Sequence, residues 1–226
     1  MAGRKKDPVR TDTTNSELLE ASFRLFSERG VGAVSMEQAA KAAGYGVATM
    51  YRYYGSKPKL AVAVATYVWP RRIEALRRRG AGPDFADMTA AEVLSFYLDS
   101  FLELYRNHGD VLRFNQFFNV YIRAEQIGDE ILAPYREMIG ALEKSFHTIY
   151  RKAETDRTVR TDVPEEKMFR ATLHLMLAAV TRYAVGLVYE PDSDAGNLEE
   201  LETLKRALLR EYTVNSEFGI RNSEFS

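Results

Sequence analysis

Three places in the sequence carry the Ser/Thr-x-x-Glu/Gln signature that opens an α-helix. They are Thr14-Asn15-Ser16-Glu17, Ser35-Met36-Glu37-Gln38 and Thr89-Ala90-Ala91-Glu92. In such a box two side chains satisfy backbone N–H groups that the first helical turn leaves without partners. After the first, Leu18, Leu19, Phe23, Leu25 and Phe26 recur at helical spacing. No run in the chain alternates apolar and polar residues as a half-buried strand does. The fold class these signals predict is all-α.

Glycine and proline punctuate the helices. The first stops at Arg29-Gly30, and the second runs from Ser35 to about Ala43. Gly44-Tyr45-Gly46 forces a tight turn, and a short third helix spans about Val47 to Tyr53. Ser56 is a good N-cap for a fourth, where Pro58 is tolerated because first-turn N–H groups lack helical partners anyway. That helix continues to about Arg79 and ends at the boundary Gly80-Ala81-Gly82-Pro83. Further helices are predicted over about 89–107, 110–126, 129–152, 164–189 and 198–214, with a polar, mobile loop over 153–162. The expected organisation is an N-terminal domain over residues 13–60, with the fourth helix as connector, and a helical body over 84–214. Residues 1–12 and 215–226 read as disordered tails. In the second tail Asn215-Ser216-Glu217-Phe218 recurs as Asn222-Ser223-Glu224-Phe225, a pattern read as a DNA-level repeat rather than a folded element.

The charge is unevenly spread. The first 80 residues hold 15 basic and 7 acidic side chains, leaving 16 basic and 25 acidic for the rest. A basic end on an acidic body suggests that one end meets a polyanion. With no cysteine, disulfides, thiolate metal sites and cysteine nucleophiles are excluded. The three histidines, His108, His147 and His174, are scattered. There is no His-Glu-x-x-His spacing, no nucleophile-base pairing and no glycine-rich phosphate loop. We therefore expect no enzyme, no metal and no cofactor. The apolar stretches Leu60–Trp69 and Ala171–Tyr189 are respectively too short and interrupted by His174 and Arg182, so a membrane span is not expected. The N-terminus lacks the apolar core of a secretory signal, and a cytoplasmic protein is expected.

Two short helices around a glycine turn, behind a longer one, make a helix-turn-helix arrangement, open to two readings: a common way to pack three helices, or a DNA binder whose second helix fits a major groove. The segment from Gly44 to Leu60, GYGVATMYRYYGSKPKL, resembles the signature of the TetR family of regulators. That pattern has a turn glycine, a recognition helix ending in Tyr-x-Tyr/His-Phe, then a small turn, Ser-Lys and a leucine. Leu18 to Gly30 resembles the family's first helix, and Ser35 to Gly44 its second. The resemblance implies a DNA-binding role for Ser35, Tyr45, Gly46, Val47, Ala48, Thr49, Tyr51, Arg52 and Lys57. Thr49, Tyr51 and Lys57 match phosphate-contacting positions, and Ser35 can offer its hydroxyl and N–H groups to a phosphate. Tyr45, Gly46, Val47, Ala48 and Arg52 match groove positions, with Arg52 a candidate for either a guanine or a phosphate contact. Tyr53, Tyr54 and Leu60 are assigned to packing. Gly46 and Val47 replace the family's frequent Ser or Lys, so thymine-methyl contacts and DNA shape gain weight. The stretch Arg4-Lys5-Lys6 with Arg10 is open to two readings, a DNA-binding arm or a solubilising end. Arg71-Arg72 and Arg77-Arg78-Arg79 are expected at a surface rather than on DNA.

For the body, the resemblance is one of layout and implies a ligand-sensing, dimerising domain. Its aromatic helices supply Phe96, Phe101, Tyr105, Phe114, Phe117, Phe118, Tyr121, Phe146, His147, Tyr150 and His174 as candidates for a small-molecule site. Two apolar stripes supply Leu173, Leu177, Val180, Ala184, Leu201, Leu204 and Leu208 as candidates for a homodimer interface. The function implied is a repressor released from a palindromic operator when an apolar or aromatic ligand binds. The alternatives are a ligand-independent regulator or activator with a protein partner, and a helical enzyme.

Overall fold

A computed structural model describes residues 8–79, 85–187 and 194–214. It contains helices α1 (Pro8–Arg29), α2 (Met36–Ala42), α3 (Val47–Tyr54), α4 (Lys57–Arg79), α5 (Ala90–Asn107), α6 (Gly109–Ala124), α7 (Asp129–Asp156), α8 (Glu165–Ala184) and α9 (Asp194–Tyr212). The all-α class is borne out. The only extended pairing among the described residues is an isolated bridge between Val159 and Thr213. The residues 1–7, the Gly80–Pro83 boundary and the tail repeat lie outside the described residues.

Two expectations about local structure are corrected. Helix α1 begins at Pro8, ahead of the Thr14–Glu17 box. Proline's fixed φ and missing N–H suit a first helical turn, and the side chains of Thr14 and Glu17 serve Tyr45 rather than the α1 backbone. Residues 153–162 are not a free loop. Helix α7 continues to Asp156, whose carboxylate accepts from the N–H of Ala90 at 2.6 Å and of Thr158 at 2.9 Å. Arg160 then pairs with Asp162 at 2.6 Å and Glu211 at 3.0 Å. The boxes at Ser35 and Thr89 are both formed and open α2 and α5.

The chain divides into two compact units that do not follow chain order. One comprises Met1–Ile73 and Arg113–Met138, the other Glu74–Leu112 and Ile139–Ser226. In the first, α1 packs on α2 and α2 on α3. Its core joins α1 to α6 from Arg113 onward: Phe114 meets Phe23 at 5.7 Å and Phe26 at 6.5 Å, and Phe118 meets Phe114 at 5.7 Å and Tyr135 at 4.9 Å. The face of Phe117 lies 3.5 Å from where a Cβ would stand on Gly30, whose φ is +86°. This packing draws residues 113–138 away from the body predicted over 84–214.

In the second unit, α5, α8 and α9 pack on one another. Tyr97 meets Phe101 and Phe146, each at 5.4 Å, and Phe146 meets Phe169 at 5.6 Å. Lys205 of α9 is tied to Asp99 of α5 at 2.6 Å.

Candidate nucleic-acid interface

The hydrophobic side of the helix-turn-helix fixes its position. Met36, Ala39 and Ala40 of α2 are buried, and Met50 anchors α3 with no exposed surface. At the end of α2 the N–H groups of Gly44 and Tyr45 return to the carbonyls of Lys41 and Ala40, at 3.0 and 2.9 Å. These are the paired bonds of a Schellman turn. The turn needs a left-handed residue, and Gly44 supplies it at φ +78°. Helix α3 starts at exposed Gly46, which offers no side-chain cap.

Opposite Met50, Ala48, Tyr51 and Arg52 are exposed. Their i, i+3, i+4 spacing puts them on one helical face. Tyr51 is 46% exposed, unusual for a large aromatic ring. The Arg52 guanidinium lies 5.6 Å from the Tyr53 ring centroid, within cation–π range. Val47 and Thr49 are half-buried at the edges of this face.

Three predicted site residues are already engaged. Ser35 Oγ accepts from the Gln38 N–H at 3.2 Å, while its own N–H donates to Gln38 Oε1 at 2.9 Å. A hydrogen bond from Ser35 also holds the Glu37 carboxyl below its usual range. The Tyr45 hydroxyl is bound by Glu17, with Thr14 Oγ1 3.3 Å away. Lys57, in the first turn of α4, donates to the Gly32 carbonyl at 2.7 Å, and its ammonium sits 5.2 Å from the Tyr121 ring centroid. Burial lowers the Lys57 pKa, partly offset by the Glu125 carboxylate. Sequence reasoning missed Asn15, which accepts from the Tyr54 hydroxyl at 2.7 Å. A side chain on α1 and another 39 residues later give no local signal of pairing.

The predicted ligand-site residues are divided between the two units. Phe114, Phe117, Phe118 and Tyr121 belong to the unit that carries α3, where Phe114 and Phe118 pack with α1 and α7. Phe96, Phe101, Tyr105 and Phe146 belong to the other unit. His147 and His174 are exposed, and His147 Nδ1 is 2.9 Å from the Glu165 carboxylate. Tyr150 donates its hydroxyl to the carbonyls of Thr161 and Val163, at 2.7 and 3.0 Å. Helix α8 contributes something the sequence did not flag. Thr172, fully buried, and Thr181 keep their hydroxyls without a protein partner. Thr172 shares a face with Met168, Phe169 and Met176.

Among the predicted dimer residues, Val180, Leu201 and Leu208 are buried within the single chain and so are core rather than free surface. Leu173, Leu177, Ala184 and Leu204 are half-exposed, and Leu175 and Leu187 stand out at 49% and 56% exposure. No described helix is long and apolar enough to cross a membrane. Among the described residues, no group of three His, Asp or Glu side chains could hold a metal ion.

Residues 18–64 match the family described as bacterial regulatory proteins, tetR family. Over 201 residues the chain is 23% identical to the uncharacterized HTH-type transcriptional regulator YvdT of Bacillus subtilis, covering 89% of this chain and 98% of that protein. Among solved structures it is similar to a regulatory protein of the tetR family from Rhodococcus RHA1. That match has a TM-score of 0.67 at 16% identity and covers 90% of this chain and 98% of the other. It is also similar to the transcriptional regulator FadR from Bacillus subtilis, solved in complex with stearoyl-CoA. There the TM-score is 0.67 at 14% identity, covering 86% of this chain and 97% of FadR.

Proposed function

We propose, for a chain that belongs to the TetR family of transcriptional regulators, that it represses from a palindromic operator as a homodimer and is released by a small apolar or aromatic ligand. The observation that carries DNA recognition is the exposed face Ala48, Tyr51, Arg52 on a short helix anchored by Met50. With α3 in the major groove, Arg52 would address guanine O6 and N7, and Ala48 and Val47 the methyl groups of thymine. Tyr51, Thr49 and Lys57 would hold phosphates and set the register. Lys57 commits one of its three donors to Gly32 and keeps others for an anion. Ser35 and Gly46 complete the proposed contact set around the turn.

The ligand reading rests on Thr172 and Thr181, buried hydroxyls without protein partners on the helix that meets the Tyr97–Phe101–Phe146–Phe169 cluster. A mostly apolar site with a few polar groups is what a small molecule needs. The complex of FadR with stearoyl-CoA supports a body of this fold as a receiver of ligands. Release would follow from the ligand's differential affinity for two conformations of the chain. Leu173, Leu175, Leu177 and Leu187 support a partner helix pair against α8.

The test is fluorescence anisotropy on the tightest duplex recovered from a randomised library, over a range of salt. Replacing Lys57 with Ala should weaken binding on all duplexes and reduce the slope of log affinity against log salt by about one. An unchanged slope would remove Lys57 from the phosphate contacts. Aromatic and long-chain acyl compounds are then titrated into the complex. A compound that stabilises the free chain yet leaves operator affinity unchanged counts against ligand release.

A further inference from the structure

Helix α3 has a tyrosine at each end, Tyr45 two residues before its first turn and Tyr54 as its last residue. Both hydroxyls reach the same short stretch of α1. Tyr45 donates to the Glu17 carboxylate beside Thr14, and Tyr54 donates to Asn15 Oδ1 at 2.7 Å. The bond to Glu17 is charge-assisted and so the stronger of the two. Between these points Met50 anchors α3 with its side chain fully buried. We infer that Tyr45 and Tyr54 are positioning residues whose hydroxyls clamp both ends of α3 to residues 14–17 of α1 and thereby set its tilt. On this inference Tyr45 acts through α1 and not by reading a base. Tyr54 stands where the TetR pattern ends in Phe, so its hydroxyl is a feature of this chain.

The consequence lies in specificity. Base-edge contacts need side chains within about 0.5 Å of their working positions, whereas phosphate contacts tolerate small shifts and carry no sequence information. A helix pivoting on Met50 would misplace Arg52 and Tyr51 while the number of charged side chains stays the same. Burial raises the Tyr54 pKa, with the neighbouring Tyr53 and Tyr67 acting in the same direction. The hydroxyl therefore remains a donor across the physiological range.

This inference rests on the DNA-binding reading, and its test separates the two. The full chain and the variants Tyr45→Phe, Tyr54→Phe, Glu17→Gln and Glu17→Ala are compared on the library-selected duplex and on a random duplex of equal length. The Phe variants keep the rings and the packing. Each should lower the specific-to-random affinity ratio roughly five- to tenfold, the range set by loss of one hydrogen bond, with the salt slope unchanged. Glu17→Ala removes a negative charge and by electrostatics alone would tighten DNA binding. The clamp instead requires it to lower the ratio, and Glu17→Gln, which keeps an acceptor, to restore most of it. A lower salt slope in Tyr45→Phe would make Tyr45 a phosphate contact and overturn its place in the clamp. Unchanged ratios in all variants would overturn the clamp entirely. If the unaltered chain prefers no duplex, the DNA-binding reading fails, and amide exchange in 47–54 decides the clamp. Faster exchange in both Phe variants supports it, and identical exchange overturns it.

Discussion

The two units are built on similar aromatic clusters yet differ in whether the polar groups beside them are exposed or buried. Around Phe114, the cluster with Phe23, Phe26 and Phe118 is a foundation. The groups proposed to act, Ala48, Tyr51 and Arg52, stand on the outside of a neighbouring helix. Around Phe146, the cluster with Tyr97 and Phe169 adjoins a helix whose hydroxyls at Thr172 and Thr181 are buried. Similar aromatic packing therefore underlies an exposed helical face in one unit and buried hydroxyls in the other. Aromatic density alone does not tell which.

The largest effects should come from emptying the two clusters. Phe114→Ala and Phe146→Ala each remove a fully buried ring and should each destabilise the chain by about 3–5 kcal/mol, measured by urea unfolding. If the units have the separate roles assigned here, Phe114→Ala should abolish DNA binding before global unfolding. Phe146→Ala should spare binding at low temperature. Equal loss of DNA binding in both would break the comparison.

A smaller effect sharpens the interior role. Thr172→Val keeps the shape and removes a hydroxyl that has no protein partner, so stability should rise by about 1 kcal/mol. Any ligand response that uses this hydroxyl should weaken. A fall in stability would mean the hydroxyl is satisfied in solution, and the interior site would lose its polar handle.

The next effect is pH-dependent and belongs to the body. Burial pushes the Asp156 carboxyl upward, but the N–H groups of Thr158 and Ala90, the Thr158 hydroxyl and the nearby Lys152 outweigh it and hold it below its usual range. A carboxyl whose pKa is depressed on folding stabilises the protein above its unfolded pKa, near 4, and the gain is lost as pH falls through the folded value. Asp156→Asn should therefore reduce stability by about 1 kcal/mol at neutral pH, and the gap from the unaltered chain should close below about pH 4. A gap of constant size from pH 7 to 3 would show that the charge is not involved.

The smallest effect lies at the end of α6. Gln126 is left-handed at φ +50°, and its N–H and that of Ile127 return to Arg123 and Ile122, a Schellman turn without its usual glycine. Gln126→Gly should raise stability by about 0.5 kcal/mol, read as a small shift in the urea midpoint.

How much of this was legible in the sequence depends on whether the cause was local. The capping boxes at Ser35 and Thr89 and the turn at Gly44 act over three or four residues, and each appears where its spacing predicts. Thr14–Glu17 has the same spacing, but Pro8 starts the helix earlier and distant tyrosines take the side chains. The recognition helix was legible because its surface face needs no partner. The ligand candidates were legible as aromatics, but not their division between two units. Along α6, Phe114 is claimed by α1 and Phe118 by Tyr135 of α7, which only the tertiary fold decides. Thr172 carries no sequence signal at all, since a threonine in a helix reads as neutral until its surroundings are known.

The central claim is that the exposed face of α3 reads DNA, and genomic pull-down with the full chain tests it most directly, alongside the double variant Tyr51→Ala, Lys57→Ala. Recovery of a short palindrome by the unaltered chain, lost in a variant that remains folded, is the predicted result. Equal recovery of unrelated fragments by both proteins would contradict it.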